Sequence, residues 1–335
     1  MDGILNYIMQ MIDWKSNNCW VREGNMKYRE SVLSKQLYEL NKDRLIKLYN
    51  PIINPNKTKS DLVYCFSWYI KKFIAKILRA SIIDEENHLS LEEMSNTDKV
   101  VDIDLQHIPR IAVYTCVLGG YDKLWEPLYR SSYCDYYAIT DFDIDSESIW
   151  NRIEYEKFIP HVENKTNFTY INRWCKMHPH NIFPQYEYSV YIDGSVLIVA
   201  DIVPLVLKMI KSGSFIGIHK HGIRKYIKTE AKAIVKTKKN IDRKTLYNQI
   251  HKYKSRGYND DIPLLEATII VRKHNHNKCI KVMEDWWDEF IKYSPRDQIS
   301  LPYVLWKNGM TIDDIYILGN DEHFNPRFVI NGHNR

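Results

Sequence analysis

Tyr186-Glu187-Tyr188-Ser189-Val190-Tyr191-Ile192-Asp193-Gly194-Ser195-Val196-Leu197-Ile198 is the stretch around which the chain is organised. Ser189 to Ile192 is a short β-prone apolar run and predicts a buried strand; Val196 to Val199 starts a second. Between them lies a polar break, Asp193-Gly194-Ser195. An Asp at the end of a buried strand, followed by Gly, sets a carboxylate on a sharp turn that a cation or a phosphate can approach. A hairpin whose Asp caps its own turn is the other reading of the same residues.

Upstream, Ile111-Ala112-Val113-Tyr114-Thr115-Cys116-Val117 predicts another buried strand, followed at once by Gly119-Gly120-Tyr121-Asp122. Tyr136 to Asp141 predicts a further strand that again ends in Asp. Loops and helix N-termini gather at strand ends of open α/β sheets, and ligands bind there. The Gly pair is neither GxGxxG nor a P-loop, so a dinucleotide fold or an ATPase has no support. Asn172 to His180 sets Arg173 and Lys176 just ahead of a Pro-bounded loop.

Downstream, Val203 to Ile210 predicts a helix and Gly217 to His221 the end of a strand. His219 and His221, two apart, fall on one strand face; they either share a ligand or divide into one buried and one solvated imidazole. Ala267 to Val271, preceded by Glu266, predicts another strand. Ile280, Met283, Trp286, Trp287, Phe290 and Ile291 form a helical stripe. Ser294-Pro295-Arg296-Asp297-Gln298 opens a helix, with Pro and Asp in its first turn. Capping is the alternative role for Asp297.

Composition bounds the function. A chain of 335 residues with 44% hydrophobic and 13% aromatic content is a folded globular protein rather than a disordered one. The six cysteines are scattered with no CxxC, so neither a zinc site nor a disulfide framework is expected, and reduced thiols in a cytoplasmic setting are. No apolar run reaches membrane-spanning length, and Met1-Asp2-Gly3-Ile4 lacks the basic start of a signal peptide. The net charge of +5 is uneven: residues 206–256 hold 12 Lys and 3 Arg against Glu230 and Asp242, which is +13 and leaves about −8 elsewhere. Such a run is either a solvated surface or a place for a polyanion.

Three regions are expected: a helical N-terminal region (1–83), an acidic linker (84–109) and an α/β domain (110–335). In the first, Phe66, Tyr69, Ile70, Phe73, Ile74 and Ile77 make a helical stripe among Lys71, Lys72, Lys76 and Arg79. This is a basic amphipathic helix. It suits peripheral contact of 62–83 with an anionic membrane, or packing onto its own domain.

From Arg110 to His333 the order of short motifs resembles the glycosyltransferase-like domain of the TOD1/MUCI70 type. The pieces are Val113-Tyr114-Thr115 with Gly119-Gly120-Tyr121-Asp122, then Lys176-Met177-His178-Pro179-His180 through Phe183-Pro184 to Tyr191-Ile192-Asp193-Gly194-Ser195. Leu265-Glu266, Ile270-Val271-Arg272, Trp286-Trp287 and Ser294-Pro295-Arg296-Asp297-Gln298 complete it. The resemblance implies a GT-A-like fold, a nucleotide-sugar-binding mixed sheet flanked by helices. It also implies a transferase that moves a sugar from a nucleoside diphosphate, UDP-sugar favoured, to a glycan or lipid-linked acceptor with Mn²⁺ or Mg²⁺.

The site expected from the resemblance follows. Asp193-Gly194-Ser195 stands where such enzymes carry DxD, so Asp193 and Ser195 are metal candidates, with His333 (then His323) completing the shell; the Ser puts full metal dependence in question. Tyr114, Thr115, Gly119, Tyr121 and Asp141 are candidates for base and ribose. Arg173, Lys176, Asp193, Ser195 and His219 are candidates for the rest of the donor. Asp297 is the first candidate for the catalytic carboxylate and Glu266 the second. A cytoplasmic enzyme, peripheral at the inner face of a membrane, is expected. The rivals are a catalytically inactive nucleotide-sugar-binding scaffold and a nucleic-acid-binding module using 206–256; the latter lacks any RNA-binding or zinc-finger signature.

Overall fold

The computed structural model describes residues 108–162, 167–222, 224–237, 242–294, 296–319, 322–325 and 327–331. The expectations for the helical region 1–83, its membrane contact and all but the last two residues of the acidic linker lie outside these residues, as does His333. Within them no helix is long and apolar enough to cross a membrane.

The first strands are β1 (Ile111–Val117), β2 (Cys134–Thr140) and β3 (Asn151–Glu154). After them come helix α1 (Phe168–Met177), a single turn α2 (Pro179–Ile182), β4 (Tyr188–Ile192) and β5 (Val196–Ile198). Helix α3 (Val203–Ser212), β6 (Ile216–Lys220), α4 (Ile227–Thr237) and α5 (Arg243–Ser255) lead to β7 (Leu265–Arg272). The chain continues through α6 (Asn277–Lys292), α7 (Asp297–Lys307), β8 (Tyr316–Ile317) and β9 (Phe328–Ile330).

Seven strands form one sheet in the order β3-β2-β1-β4-β7-β6-β8. β1 to β4 run parallel; β7 runs antiparallel to both β4 and β6. The C-terminal ends of β1, β2, β4 and β6 therefore meet the N-terminal end of β7 at one edge. This is the mixed α/β sheet with flanking helices that the sequence predicts.

Strand alternation divides the core. Ala112, Tyr114 and Cys116 of β1 and Tyr191 of β4 face a cluster with Trp174, Trp286 and Phe290. Ile111 and Val113 of β1 face the other side with Val206 and Met209. Helix α1 starts because Asn167 caps it, its side chain accepting the Thr169 N–H, and α3 stops at Gly213, whose φ of +75° is the left-handed region. His180 bonds Glu284 at 2.8 Å, tying α2 to α6.

The opening turn departs from a simple hairpin. Val196 N–H does close back on the Asp193 carbonyl at 2.9 Å, but β5 leaves the main sheet and pairs antiparallel with β9. The edge of β4 beyond Ile192 is thus left to the site rather than to a returning strand.

Tyr114, a candidate for nucleotide contact, is instead fully buried. Its hydroxyl donates to the carbonyls of Cys175 and Lys176 and accepts from Arg272. Arg272 is itself wholly buried and also donates to the Lys176 carbonyl at 2.7 Å. The hydroxyl thus holds β1, β7 and the end of α1 together. Tyr114→Phe should cost roughly 1–3 kcal/mol of stability, since it strands a buried charged donor, and should leave nucleotide affinity unchanged. Chemical denaturation and nucleotide titration of the same variant check both halves.

Candidate active site

The edge begins with a turn that only glycine makes without strain. Gly119 and Gly120 have φ of +66° and +62°. The Gly119 N–H donates to Asp141 Oδ2 at 3.0 Å, joining the ends of β1 and β2. A Cβ on Gly119 would also fall 2.7 Å from the Phe168 ring. Tyr121 follows, exposed on the rim.

Asp122 then folds back over the end of β4. A Cβ built on Gly194 would lie 2.8 Å from Asp122 Cβ, 3.1 Å from its Oδ2 and 2.9 Å from Val117. The Asp122 carboxylate therefore stands against the Asp193-Gly194-Ser195 turn.

Asp193 is fixed from three sides. Its N–H donates to the Thr268 carbonyl of β7 at 2.9 Å. Tyr191, two residues earlier on the same strand, donates its hydroxyl to Oδ1 at 2.7 Å, and Lys176 Nζ lies 3.7 Å from that oxygen. Both contacts use Oδ1, so among the described residues Oδ2 is the oxygen left for a ligand. Ser195 is buried, and its carbonyl accepts the Asn331 N–H at 2.8 Å.

Helix α1 delivers the cations. Asn172 pins it to β1 through the Cys116 carbonyl at 2.6 Å. Arg173 and Lys176, three apart, share a face, and both meet Asp297 Oδ2, at 2.9 and 2.8 Å. The Arg173 contact is a charge contact rather than an aligned hydrogen bond. Asp297 is the first residue of α7, where the helix N-terminus favours a negative charge. Burial pushes its carboxyl up, but Arg173, Lys176 and Arg296 together outweigh that and hold it below the usual carboxylate range. Arg296 also lies within electrostatic reach of Arg173, Glu230 and Tyr121.

Glu266 is the opposite case. It opens β7 and accepts from Thr268 at 2.8 Å and from the Gln298 amide. Burial pushes its carboxyl up to about 7, with Asp193 adding to the rise, against the downward pull of Thr268, Lys176 and Gln298. His221 Nε2 lies 3.9 Å from Glu266 and 3.7 Å from Glu230.

Of the predicted residues, Gly119, Asp141, Arg173, Lys176, Asp193, Glu266 and Asp297 come together at this edge. Others do not join them in the expected way. Tyr114 and Thr115 are interior to β1 and buried. His219 is buried, with Nε2 2.9 Å from the Asn325 amide, whereas His221 sits by Glu230 and Glu266, so the two imidazoles have different neighbours. The strand β6 ends at Lys220, so His221 lies beyond the alternation that paired the two. His323 lies beside Glu322 at 3.4 Å.

Among the described residues no three His, Cys, Asp or Glu side chains form a metal shell. What the edge offers is two carboxylates, Asp193 and Asp122, around a glycine with no side chain. Hard oxygen donors of this kind fit Mg²⁺ or Mn²⁺. Asp122, Tyr191, Arg296 and Gln298 were not assigned from the sequence, although Asp122 ends the Gly119-Gly120 motif and Tyr191 shares a strand face with Asp193.

Residues 90–324 match the family model described as TOD1/MUCI70, glycosyltransferase-like domain. A curated relative, "Probable hexosyltransferase MUCI70" of Arabidopsis thaliana, is 24% identical over 235 residues, covering 60% of this chain. The matched part spans 38% of the relative's length. Among solved structures, the WbbM bifunctional glycosyltransferase overlays with a TM-score of 0.39 and 12% identity, covering 84% of this chain and 60% of its own. The galactosyltransferase LgtC, with donor and acceptor sugar analogues, gives a TM-score of 0.32, 10% identity, and 62% and 72% coverage. Mouse xyloside xylosyltransferase 1 gives 0.32, 8%, and 64% and 80%. Overlays this loose establish no shared residues. The family match covers most of the chain from residue 90 onward, and the protein belongs to the TOD1/MUCI70 glycosyltransferase-like family.

Proposed function

We propose that the strand-end edge is the catalytic centre of a glycosyltransferase. It takes a sugar from a nucleoside-diphosphate donor, UDP-sugar favoured, and passes it to a hydroxyl of a glycan or lipid-linked acceptor. The observation that carries this reading is the pair of cations, Lys176 and Arg173, held by Asp297 directly beside Asp193. Glycosyl transfer needs its leaving diphosphate neutralised, and pre-placed cations do so without reorganising during the reaction.

A divalent Mn²⁺ or Mg²⁺, when bound, would be held by Asp193 and Asp122 and would supply further charge neutralisation at the diphosphate. Tyr191 orients Asp193 by occupying Oδ1. Gly119, Tyr121 and Asp141 line the end of β1 and β2, where the base and ribose are placed in this reading.

The acid–base role falls to Glu266 rather than to Asp297. A base acts best with a pKa near the working pH, and Glu266 is raised to about 7. Asp297 is held ionised by three cations, which makes it a weak base and a strong organiser. Gln298 and Thr268 aim the Glu266 carboxylate.

A cytoplasmic enzyme, peripheral at the inner face of a membrane, is part of this reading. Residues 62–83 are assigned peripheral contact with an anionic membrane, and the rest of 1–83 docking, oligomerisation or acceptor binding. Nucleotide-sugar binding without turnover would select the inactive-scaffold reading, whose motive is Ser195 in place of a second acid.

Two outcomes are expected. With a panel of nucleotide sugars and Mn²⁺, donor hydrolysis should rise with pH through about 7 as Glu266 ionises. Glu266→Gln should lose roughly 10²-fold or more of it, along with that acidic limb, while still binding nucleotide. An unchanged pH profile in this variant removes Glu266 from the chemistry. Separately, Mn²⁺ affinity by calorimetry should fall on the order of tenfold in Tyr191→Phe and further in Asp193→Ala and Asp122→Asn. Metal affinity and nucleotide binding both intact in Asp193→Ala would falsify the site.

A further inference from the structure

Helices α4 and α5 pack on one another and α4 packs on α7, next to the catalytic edge. The link to the site is short. Glu230, in the first turn of α4, lies 3.7 Å from His221, which lies 3.9 Å from Glu266. His221 and Lys225 both meet Leu264: its carbonyl accepts the His221 N–H at 3.0 Å, and its N–H donates to the Lys225 carbonyl at 2.8 Å.

The outer surface of this pair is strongly basic. Lys225, Lys228 and Lys232 are exposed on and before α4, and Arg243, Lys244 and Lys254 on α5. Residues 224–256 contain two carboxylates. Glu230 is buried and ion-paired to Arg224, and Asp242 caps α5 through the N–H groups of Lys244 and Thr245. Among the described residues none of Lys225, Lys228, Lys232, Lys244 and Lys254 has a carboxylate within ion-pair distance. Two tyrosines, Tyr226 just before α4 and Tyr247 on α5, are exposed at 44% and 42%.

We infer that this face binds the acceptor, and that the acceptor is an anionic saccharide bearing carboxylate or sulfate groups. Lysines supply point charges for such groups, and tyrosine rings offer flat apolar faces with a polar tip, suited to sugar rings. The location favours a saccharide over the other polyanions, because the basic face begins beside the carboxylate assigned to the acceptor proton. It does not favour a membrane. The apolar residues of these helices, Ile227, Ala231, Ile234, Leu246 and Ile250, are buried against the domain, whereas an interfacial helix keeps an apolar face for lipid. The inference rests on the glycosyltransferase reading for the word acceptor, not for the surface itself.

Binding of the full chain to labelled hyaluronate and sulfated oligosaccharides, against neutral maltooligosaccharides of equal length, tests it. Affinity for the anionic set should exceed the neutral one by roughly tenfold or more at low salt and fall as salt rises. The combined substitutions Lys228→Glu, Lys232→Glu and Lys244→Glu should abolish that preference, with thermal melting confirming the fold. Equal affinity for neutral and anionic saccharides, or a preference that survives the substitutions, overturns the proposal. So does variant-sensitive binding of phosphatidylserine vesicles or single-stranded DNA without saccharide binding. UDP-sugar binding and hydrolysis by the unsubstituted protein, measured in the same preparation, judges the catalytic reading separately. Donor turnover without anionic-saccharide binding sinks this inference alone; saccharide binding without any donor binding sinks the catalytic reading alone.

Discussion

Asp297 lies buried against Lys176 and Arg173, and the rest of the site hangs on that contact. The side chains of Lys176 and Asp297 are only 2% and 8% exposed. Taking such charges out of water costs several kcal/mol per ion unless close partners and a favourable field compensate. Here the carboxylate sits between two cations and at a helix N-terminus, and its own carbonyl accepts the Trp286 indole N–H at 2.9 Å. The triad therefore locks α1 to the start of α7, and Trp286 locks α7 to α6. Without Asp297, Lys176 and the half-buried Arg173 would lose the carboxylate oxygen that both meet, at 2.8 and 2.9 Å.

The same contact separates the roles of the acids. Asp297 has the nearest cations and is held charged. Glu266 has amide and hydroxyl donors, a more distant Lys176 and a mostly buried side chain, and burial raises its carboxyl to about 7. In the reading proposed above, two carboxylates whose environments push them apart divide into a counter-ion, Asp297, and a proton carrier, Glu266. Asp193 lies between these extremes. At 26% side-chain exposure it is the more open partner of Lys176, and Tyr191 fixes its rotamer from behind.

Much of the frame was legible because its strands are continuous apolar runs bounded by Gly, Asp or Pro. β1 is predicted to the residue, and β4, β7, α3, α6 and the start of α7 to within a few. β3 escaped because Asn151-Arg152-Ile153-Glu154 is polar and only partly covered. The partner of β5 escaped because β9 lies far along the chain, and no local pattern encodes that pairing. Residue roles were less legible than strand ends. Asp141 and Asp193, read as strand ends, do lie on one edge, and Glu266, at the start of the oppositely running β7, lies there too. Tyr114 and Thr115 belong to the interior of β1, and β6 ends at Lys220, one residue short of His221. Tyr191 and Gln298 act only through their neighbours, which a sequence does not display.

Gly194 shows what that limit means at the centre of the site. Glycine in a tight turn suggests a left-handed backbone, yet among the described residues the positive-φ glycines are Gly119, Gly120, Gly213, Gly257, Gly309 and Gly319, and Gly194 is not one of them. What selects glycine at 194 is room. Any side chain there would collide with Val117 and displace Asp122. In the reading proposed for the metal, a carboxylate arriving from the loop after β1 stands in for the acid that position 195 lacks. Ser195 is then free to bury itself and tie the turn to the segment after β9. The Gly119-Gly120 turn, which sends the chain back over β4, and the glycine that admits Asp122 become two halves of one device. A change at either should disturb the same ligand position.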